Sequence, residues 1–134
     1  MNKVQIKNSR IIKNIEGNLI KIISKNDFSK KWNFGEIYIS EIKKNIIKGW
    51  HYHKYQTSTL FVIKGIVKIV IFKNKVFKSY KLNPKKMKII IIPPKTWYSF
   101  KGLEKNNSLI NLSNKIYNPK NSMKKALDQL GFKW

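Results

Sequence analysis

The chain contains two histidines, His51 and His53, and they stand two residues apart. They lie in the segment 47–56, between two segments whose residue types alternate as in β-strands, 36–42 and 59–64. Because residues two apart in a strand point to the same face, both imidazoles should reach the same pocket or the same surface. An imidazole can take or give a proton near pH 7, or bind a metal ion. The pair therefore indicates acid–base or metal chemistry, with two exposed surface histidines as the alternative.

The elements that would position the histidines are short strands separated by turns. They recur at roughly ten-residue spacing, which is typical of an all-β sandwich or barrel. Besides the histidine segment, the predicted strands are 4–7, 11–15, 19–23, 34–42, 60–64, 66–73, 76–82, 87–92, 97–101 and 108–112. Only the end of the chain has helical features, with Ser122 as a cap, Met123–Leu130 as the helix and Gly131 as its end. We therefore predict one all-β domain over residues 1–134, with a short C-terminal helix.

Length and composition limit the classes of protein to consider. A chain of 134 residues fits a single domain with a real core. No apolar run approaches the roughly 20 residues that span a bilayer, and Met1–Gln5 does not begin a signal peptide. We therefore expect a cytoplasmic protein with no membrane partner. The absence of cysteine excludes disulfides, thiolate nucleophiles and zinc–thiolate sites.

The net charge of +23 raises the question of a nucleic-acid partner. Lysine is spread over the whole chain, however, and Arg10 is the single arginine. Lys, Ile and Asn are the residues that AT-rich codons favour, so coding bias accounts for much of the excess. Readers of nucleic acid usually use arginine for bidentate contacts. We therefore expect no nucleic-acid partner, and the charge instead suits a small anion such as a phosphate or diphosphate.

Several motifs follow one another in a consistent order along the chain. They are Phe34–Tyr38, Lys48–Lys54, Gln56–Thr57, Val62–Gly65, Ile92–Pro94, Trp97–Phe100 and Tyr117–Pro119. In this order they resemble the dTDP-4-dehydrorhamnose 3,5-epimerase (RmlC-like) group of cupins, over about residues 15 to 120. The resemblance implies a cupin jelly-roll β-barrel, a homodimer that shares strands, and a nucleotide-sugar pocket inside the barrel. These epimerases need neither a metal nor an organic cofactor, so we expect none here.

The resemblance also implies roles for individual residues. His51 matches the catalytic base, which removes a proton beside the keto group of the sugar. His53 or Tyr98 would then be the acid. Glu36 and Tyr38 match polar positions that line the pocket.

Five further residues complete the expected substrate site. Tyr117 matches an aromatic residue that packs on the sugar, and Trp50 matches an apolar residue of the pocket wall. Lys48 and Lys54 flank the pocket in sequence and would meet the phosphates. Gln56 is a further candidate for substrate binding.

The sequence also departs from the pattern of the epimerases. Ser58 stands where they have a lysine, and Asn111 stands where they have the acidic tyrosine. Tyr98 replaces the histidine of the second cupin motif, and Lys95 replaces its glycine. The carboxylate that supports the base has no clear match, because Asp128 falls in the predicted helix. Tyr98 can take over the lost acid role, since a phenol near a lysine can donate a proton.

These departures leave alternatives to a cofactor-independent epimerase of a dTDP-4-keto-6-deoxy sugar in surface-polysaccharide assembly. Sugar 3,4-ketoisomerases are related cupins with a His-x-His-Lys element, which residues 51–54 match. A metal-dependent cupin would need a glutamate where Gln56 or Thr57 stands, and a histidine where Tyr98 stands. The remaining alternative is a non-catalytic, sugar-binding cupin.

Overall fold

The protein is described by a computed structural model that covers residues 3–134. Within these residues the chain forms twelve strands and two short 3-10 helices. The strands are β1 Gln5–Asn8, β2 Arg10–Ile12, β3 Leu19–Lys21, β4 Glu36–Lys43, β5 Ile47–His53, β6 Ser58–Lys64, β7 Val67–Lys73, β8 Val76–Leu82, β9 Lys88–Ile92, β10 Trp97–Gly102, β11 Asn106–Ser113 and β12 Ser122–Lys125. The 3-10 helices are Lys25–Asp27 and Pro119–Asn121.

Ten of the strands form two antiparallel sheets of five strands each. The first sheet has the order β1-β9-β6-β11-β4, and the second has the order β12-β5-β10-β7-β8. β2 and β3 form a separate hairpin. Two packed antiparallel sheets of this kind are the jelly-roll arrangement that the resemblance implies, which confirms the predicted all-β fold class.

The core lies between the two sheets because strand residues alternate between faces. In β6, for example, Leu60 and Val62 belong to the central apolar cluster, whereas Phe61 belongs to a second cluster with Met87, Ile89 and Ile91. The central cluster also includes Ile69, Ile71, Ile90, Ile92, Tyr98, Phe100 and Leu109. The second cluster packs against the N-terminal segment through Ile22, Ile23 and Phe28. Tyr98, a predicted site residue, is therefore part of the apolar core.

The C-terminal helix predicted at Met123–Leu130 is wrong. Ser122–Lys125 form strand β12, which pairs antiparallel with β5. A helix of this length is marginal by itself, whereas the free edge of β5 offers unpaired backbone donors and acceptors. Non-local pairing therefore outweighs a weak local preference, and two turns follow in which Gln129 N–H bonds to Ala126 and Gly131 N–H to Asp128.

β5 contains a bulge that changes which of its side chains share a face. Across from it in β10, Tyr98 pairs with His51 and Phe100 pairs with Lys48. Two residues of β5 thus stand opposite one residue of β10, as in a β-bulge. The hydroxyl of Ser99, the residue between Tyr98 and Phe100, donates to the carbonyl oxygen of Lys48 at 2.7 Å.

In residues 3–134, no helix has the length and apolar character needed to cross a membrane.

Candidate active site

A cavity of about 300 Å³ lies between the two sheets, and both sheets supply its walls. The first sheet contributes residues of β4 and β11, and the second contributes residues of β5, β10 and β12. The lining residues are Tyr38, Ser40, Lys48, His51, His53, Tyr98, Phe100, Leu109, Asn111, Tyr117 and Lys124. Aromatic rings line much of it, with convergent polar and ionisable groups among them, which is typical of a binding or catalytic site.

The bulge in β5 brings Lys48 to the same cavity as His51 and His53. Residues two apart share a face of a strand, whereas residues three apart do not. Lys48 and His51 are three apart, and the extra residue of the bulge offsets this spacing. The Lys48 Nζ donates to Ser40 Oγ at 2.9 Å, which holds the ammonium group at the cavity wall.

His51 lies against aromatic rings of β10 and close to two lysines. Its ring centroid is 5.5 Å from that of Tyr98 and 5.9 Å from that of Phe100. Burial lowers the pKa of His51 to about 4, with further lowering from the positive charges of Lys124, His53 and Lys48. The imidazole is therefore neutral near pH 7, which is the form that can accept a proton.

His53 contacts hydroxyl groups through both ring nitrogens. Nδ1 lies 2.8 Å from Ser122 Oγ, and Nε2 lies 3.2 Å from the hydroxyl of Tyr98. Burial lowers the pKa of this imidazole as well. His53 is thus also neutral near pH 7, and it is held at both ends.

Tyr98 is buried, with 3% of its surface exposed. Burial raises the pKa of its phenol, and the charge of Tyr38 adds to the shift, whereas hydrogen bonds with Ser58 and Asn111 oppose it. The phenol therefore keeps its proton across the neutral range. It can donate that proton to a neighbouring oxygen or nitrogen.

Asn111 occupies the position at which the epimerase resemblance expects an acidic tyrosine. Its Nδ2 donates to the hydroxyl of Tyr38 at 2.8 Å. Its Oδ1 is buried and has no hydrogen-bond partner within residues 3–134. A buried acceptor without a partner is costly, so this oxygen is suited to accept a hydrogen bond from a hydroxyl group of a bound ligand.

The cavity lining also includes the aromatic side chain of Tyr117 and two lysines. The ring of Tyr117 stands edge-on to that of His53, with centroids 6.4 Å apart. The backbone N–H of Tyr117 donates to Glu36 Oε1 at 2.8 Å, so Glu36 holds this residue in place. Lys48 and Lys124 supply the positive charge.

Within the described residues, 3–134, no three His, Cys, Asp or Glu side chains come together as a candidate metal site. The cavity offers the imidazoles of His51 and His53 as its two strong metal donors.

The family model for FdtA, described as "WxcM-like, C-terminal", matches residues 2–130. The chain belongs to this family. No curated protein sequence matches the chain.

Solved structures of sugar-modifying enzymes share the fold of this FdtA-family chain. A dTDP sugar isomerase from Desulfovibrio desulfuricans G20 is 23% identical, with a TM-score of 0.85 over 98% of this chain and 90% of that one. QdtA, a sugar 3,4-ketoisomerase from Thermoanaerobacterium thermosaccharolyticum solved with TDP, is 23% identical, with a TM-score of 0.79 over 91% and 88%. The 3,5-epimerase RmlC from Legionella pneumophila is 16% identical, with a TM-score of 0.86 over 98% and 78%.

The structure brings six of the predicted site residues together in this cavity. They are Tyr38, Lys48, His51, His53, Tyr98 and Tyr117. Glu36 is not among the lining residues, and its carboxylate instead accepts a hydrogen bond from the backbone N–H of Tyr117. The two-residue spacing of the histidines and the order of the motifs thus predicted residues that line one cavity.

Three other predicted residues lie elsewhere. Trp50 is fully buried on the other side of β5, where its Nε1 donates to the carbonyl oxygen of Leu127 at 3.3 Å. Lys54 is exposed, and its backbone N–H bonds to Asn121. Gln56 is buried and donates to Ser58 Oγ at 3.1 Å, beside a separate small cavity.

Sequence reasoning missed Ser122 and Lys124. Both belong to β12, which brings Ser122 opposite His53 and Lys124 opposite His51. Ser122 and Lys124 stand two residues apart, as the histidines do, and this spacing would have indicated a shared face of a strand. The segment was predicted to be a helix, so the spacing was not used.

Proposed function

We propose that this protein moves protons beside the keto group of a nucleotide-activated 4-keto-6-deoxy sugar, and that its reaction is a 3,4-ketoisomerisation. The observation that carries the proposal is the convergence of His51, His53 and Tyr98 on one cavity. Two neutral imidazoles and a protonated phenol are the groups that such proton transfers require. The surface-polysaccharide role that the resemblance implies would follow from the same activity.

The charge around the cavity suits the nucleotide part of this substrate. Lys48 and Lys124 line it, and a diphosphate binds well to lysine ammonium groups. Their positive charges lower the pKa of His51. A bound diphosphate would offset those charges and raise this pKa, which makes His51 a stronger base once the substrate is present.

The proposed reaction begins when His51 removes the proton from C3 and the negative charge moves to O4. The pair formed by Tyr98 and His53 then takes the proton from O3 and delivers one to O4. The protonated His51 finally gives its proton to C4, and the charge on O3 forms the new ketone. All protons are returned, so the isomerisation needs no oxidant or reductant.

Two observations favour this reaction over epimerisation at C3 and C5. The Tyr98 hydroxyl lies 3.2 Å from His53 Nε2, which forms a pair able to shuttle a proton between neighbouring oxygens. In addition, the acidic tyrosine of the epimerases is Asn111 here. A sugar 3,4-ketoisomerase is among the solved enzymes that share this fold.

Incubation with dTDP-4-keto-6-deoxyglucose in deuterium oxide, followed by NMR and mass spectrometry, tests the proposal. We expect a 3-keto product with deuterium at C4, because the proton held by His51 exchanges with the solvent before it is delivered to C4. We expect no deuterium at C5, and no product from His51→Asn. Deuterium at C5 would instead identify a 3,5-epimerase. Binding of the sugar nucleotide with no exchange at any carbon would identify a non-catalytic binding protein.

We also propose that a second copy of the chain covers β4. This strand is at the edge of the first sheet, and its outward-facing Ile37 and Ile39 are 55% and 59% exposed. Ile39 pairs with Ile110 of β11, and Ile110 pairs in turn with Phe61 of β6, so these three residues form an apolar row across the sheet. Such a row at a free strand edge favours pairing with another chain, as expected for the homodimer.

A further inference from the structure

We propose that Ser122 is a positioning residue that holds His53 in its Nδ1–H tautomer and directs the lone pair of Nε2 at the hydroxyl of Tyr98. The inference deepens the proposed function, because it concerns the proton shuttle of that reaction. It rests on a chain of three hydrogen bonds that joins Tyr98, His53, Ser122 and Asn118.

The last of these hydrogen bonds, between Ser122 and Asn118, determines which group donates in the bond between Ser122 and His53. Ser122 Oγ lies 3.1 Å from the backbone carbonyl oxygen of Asn118. A carbonyl oxygen can only accept, so Ser122 uses its single hydroxyl proton there. The 2.8 Å contact between Ser122 Oγ and His53 Nδ1 must then be donated by the imidazole. This places the ring proton of neutral His53 on Nδ1.

The protonation state of the other ring nitrogen, Nε2, follows by elimination. Since neutral imidazole carries one ring proton, Nε2 of His53 has a lone pair. The hydroxyl of Tyr98, 3.2 Å away, therefore donates to it. The opposite tautomer would leave Nδ1 and Ser122 Oγ facing each other without a proton between them, as long as Ser122 donates to Asn118.

The backbone around Ser122 keeps this serine in place. Ser122 is paired directly with His53 in the β12–β5 register. Just before it, the 3-10 helix Pro119–Asn121 is closed by the bond from Asn121 N–H to the Asn118 carbonyl oxygen and by the bond from Ser122 N–H to that of Pro119. The backbone N–H of Lys54 bonds to the carbonyl oxygen of Asn121, which ties this turn to the end of β5.

The tautomer matters because the shuttle needs a vacant acceptor behind Tyr98. When Tyr98 takes the proton of O3, its own proton moves to Nε2 of His53, and the reverse transfer supplies O4. The buried phenol then never has to carry a negative charge. If Nε2 already carried the ring proton, Tyr98 would have no acceptor, and this transfer would stop.

The test uses the free protein labelled with ¹⁵N-histidine, in which only two imidazoles give signals. Long-range ¹H–¹⁵N correlation spectra at pH 7 report the tautomer, and His51→Asn assigns the His53 signals. We expect Nδ1–H in the wild-type protein and in Ser122→Thr, which keeps a hydroxyl. We expect Ser122→Ala to populate the Nε2–H form. The control Ser79→Ala, at an exposed position of β8, should change nothing.

Activity gives the second readout. We expect Ser122→Ala to lower kcat about tenfold, the size of one lost hydrogen bond, with KM unchanged, and Ser122→Thr to recover most of the loss. Nε2–H in the wild-type protein, or an unaltered tautomer in a folded Ser122→Ala, would overturn the inference. The wild-type spectrum decides it even if Ser122→Ala fails to fold. Because the spectra need no substrate, an absence of turnover would count against the proposed function alone.

Discussion

Lys124 of β12 stands directly opposite His51 of β5, and both side chains line the same cavity. The positive charge of Lys124 is, after burial, the largest cause of the low pKa of His51. The lysine that is suited to bind an anion therefore also controls the basicity of the proposed base.

Replacing Lys124 by glutamine should raise the pKa of His51. Removing a positive charge favours the protonated imidazole, so the pKa should move up from about 4 towards the ordinary 6.5. It should stay below 6.5, because burial remains. An NMR titration of the ring protons measures the change. Lys125→Gln is the matched control, since Lys125 lies over the ring of Trp97 at 4.9 Å, and an equal effect there would refute the local explanation.

The stability of the protein should fall as the pH drops below about 6.5. The pKa of His51 is about 4 in the folded state, so the unfolded chain binds a proton more readily between pH 6.5 and pH 4. Stability is therefore full above the unfolded pKa and is lost through this window, by on the order of 3 kcal/mol for one such group. Urea unfolding at several pH values measures it. His51→Asn should show a shallower pH dependence, and an unchanged slope would contradict the low pKa.

Asn111 and Asn107 are both buried in β11, and their replacement by leucine should change stability by different amounts. Asn107 makes four hydrogen bonds to backbone groups, so Asn107→Leu should cost about 2 to 4 kcal/mol of unfolding free energy. Asn111 leaves its Oδ1 without a partner within residues 3–134, so Asn111→Leu should change stability by less than about 1 kcal/mol.

The same Asn111→Leu variant should bind the sugar less well. If Oδ1 accepts a sugar hydroxyl, KM for the sugar nucleotide should rise about tenfold, whereas the affinity for the nucleoside diphosphate alone should stay the same. Calorimetry with the two ligands separates these effects. An equal loss for both ligands would show that Asn111 does not contact the sugar.

Phe132 should contribute to stability through an aromatic cluster on the outer face of the second sheet. Its ring centroid lies 5.1 Å from that of Phe77, 5.2 Å from that of Trp134 and 6.5 Å from that of Trp50. Phe132→Ala should therefore cost roughly 2 to 3 kcal/mol of unfolding free energy. Lys133→Ala, at the exposed neighbouring position, is the control. Urea denaturation compares the two, and equal midpoints would mean that the cluster adds little.

Ile39→Glu should produce monomers if a second copy covers β4. A carboxylate cannot be buried cheaply in an apolar interface, so dimerisation should be lost while the monomer keeps its fold. Light scattering coupled to size-exclusion chromatography measures the mass. Ile15→Glu is the matched control, because Ile15 is fully exposed at 102%. A wild-type protein that is monomeric at micromolar concentration would exclude the proposed dimer.

The sequence alone determined most of the strand pattern and which residues form the centre of the cavity. Alternation within a strand depends only on neighbouring residues, so the spacing of His51 and His53 was enough to place both imidazoles on one face. The ordered motifs then indicated the cupin fold and brought Tyr38, Tyr98 and Tyr117 into the same site, and the structure places all three at the cavity.

Only the tertiary structure decided which other residues join them. The bulge that turns Lys48 towards the histidines arises from the register between β5 and β10, and Ser122 and Lys124 reach the cavity because β12 pairs with the edge of β5. These outcomes depend on hydrogen bonds between segments far apart in the chain, and no local pattern of residue types encodes such pairing.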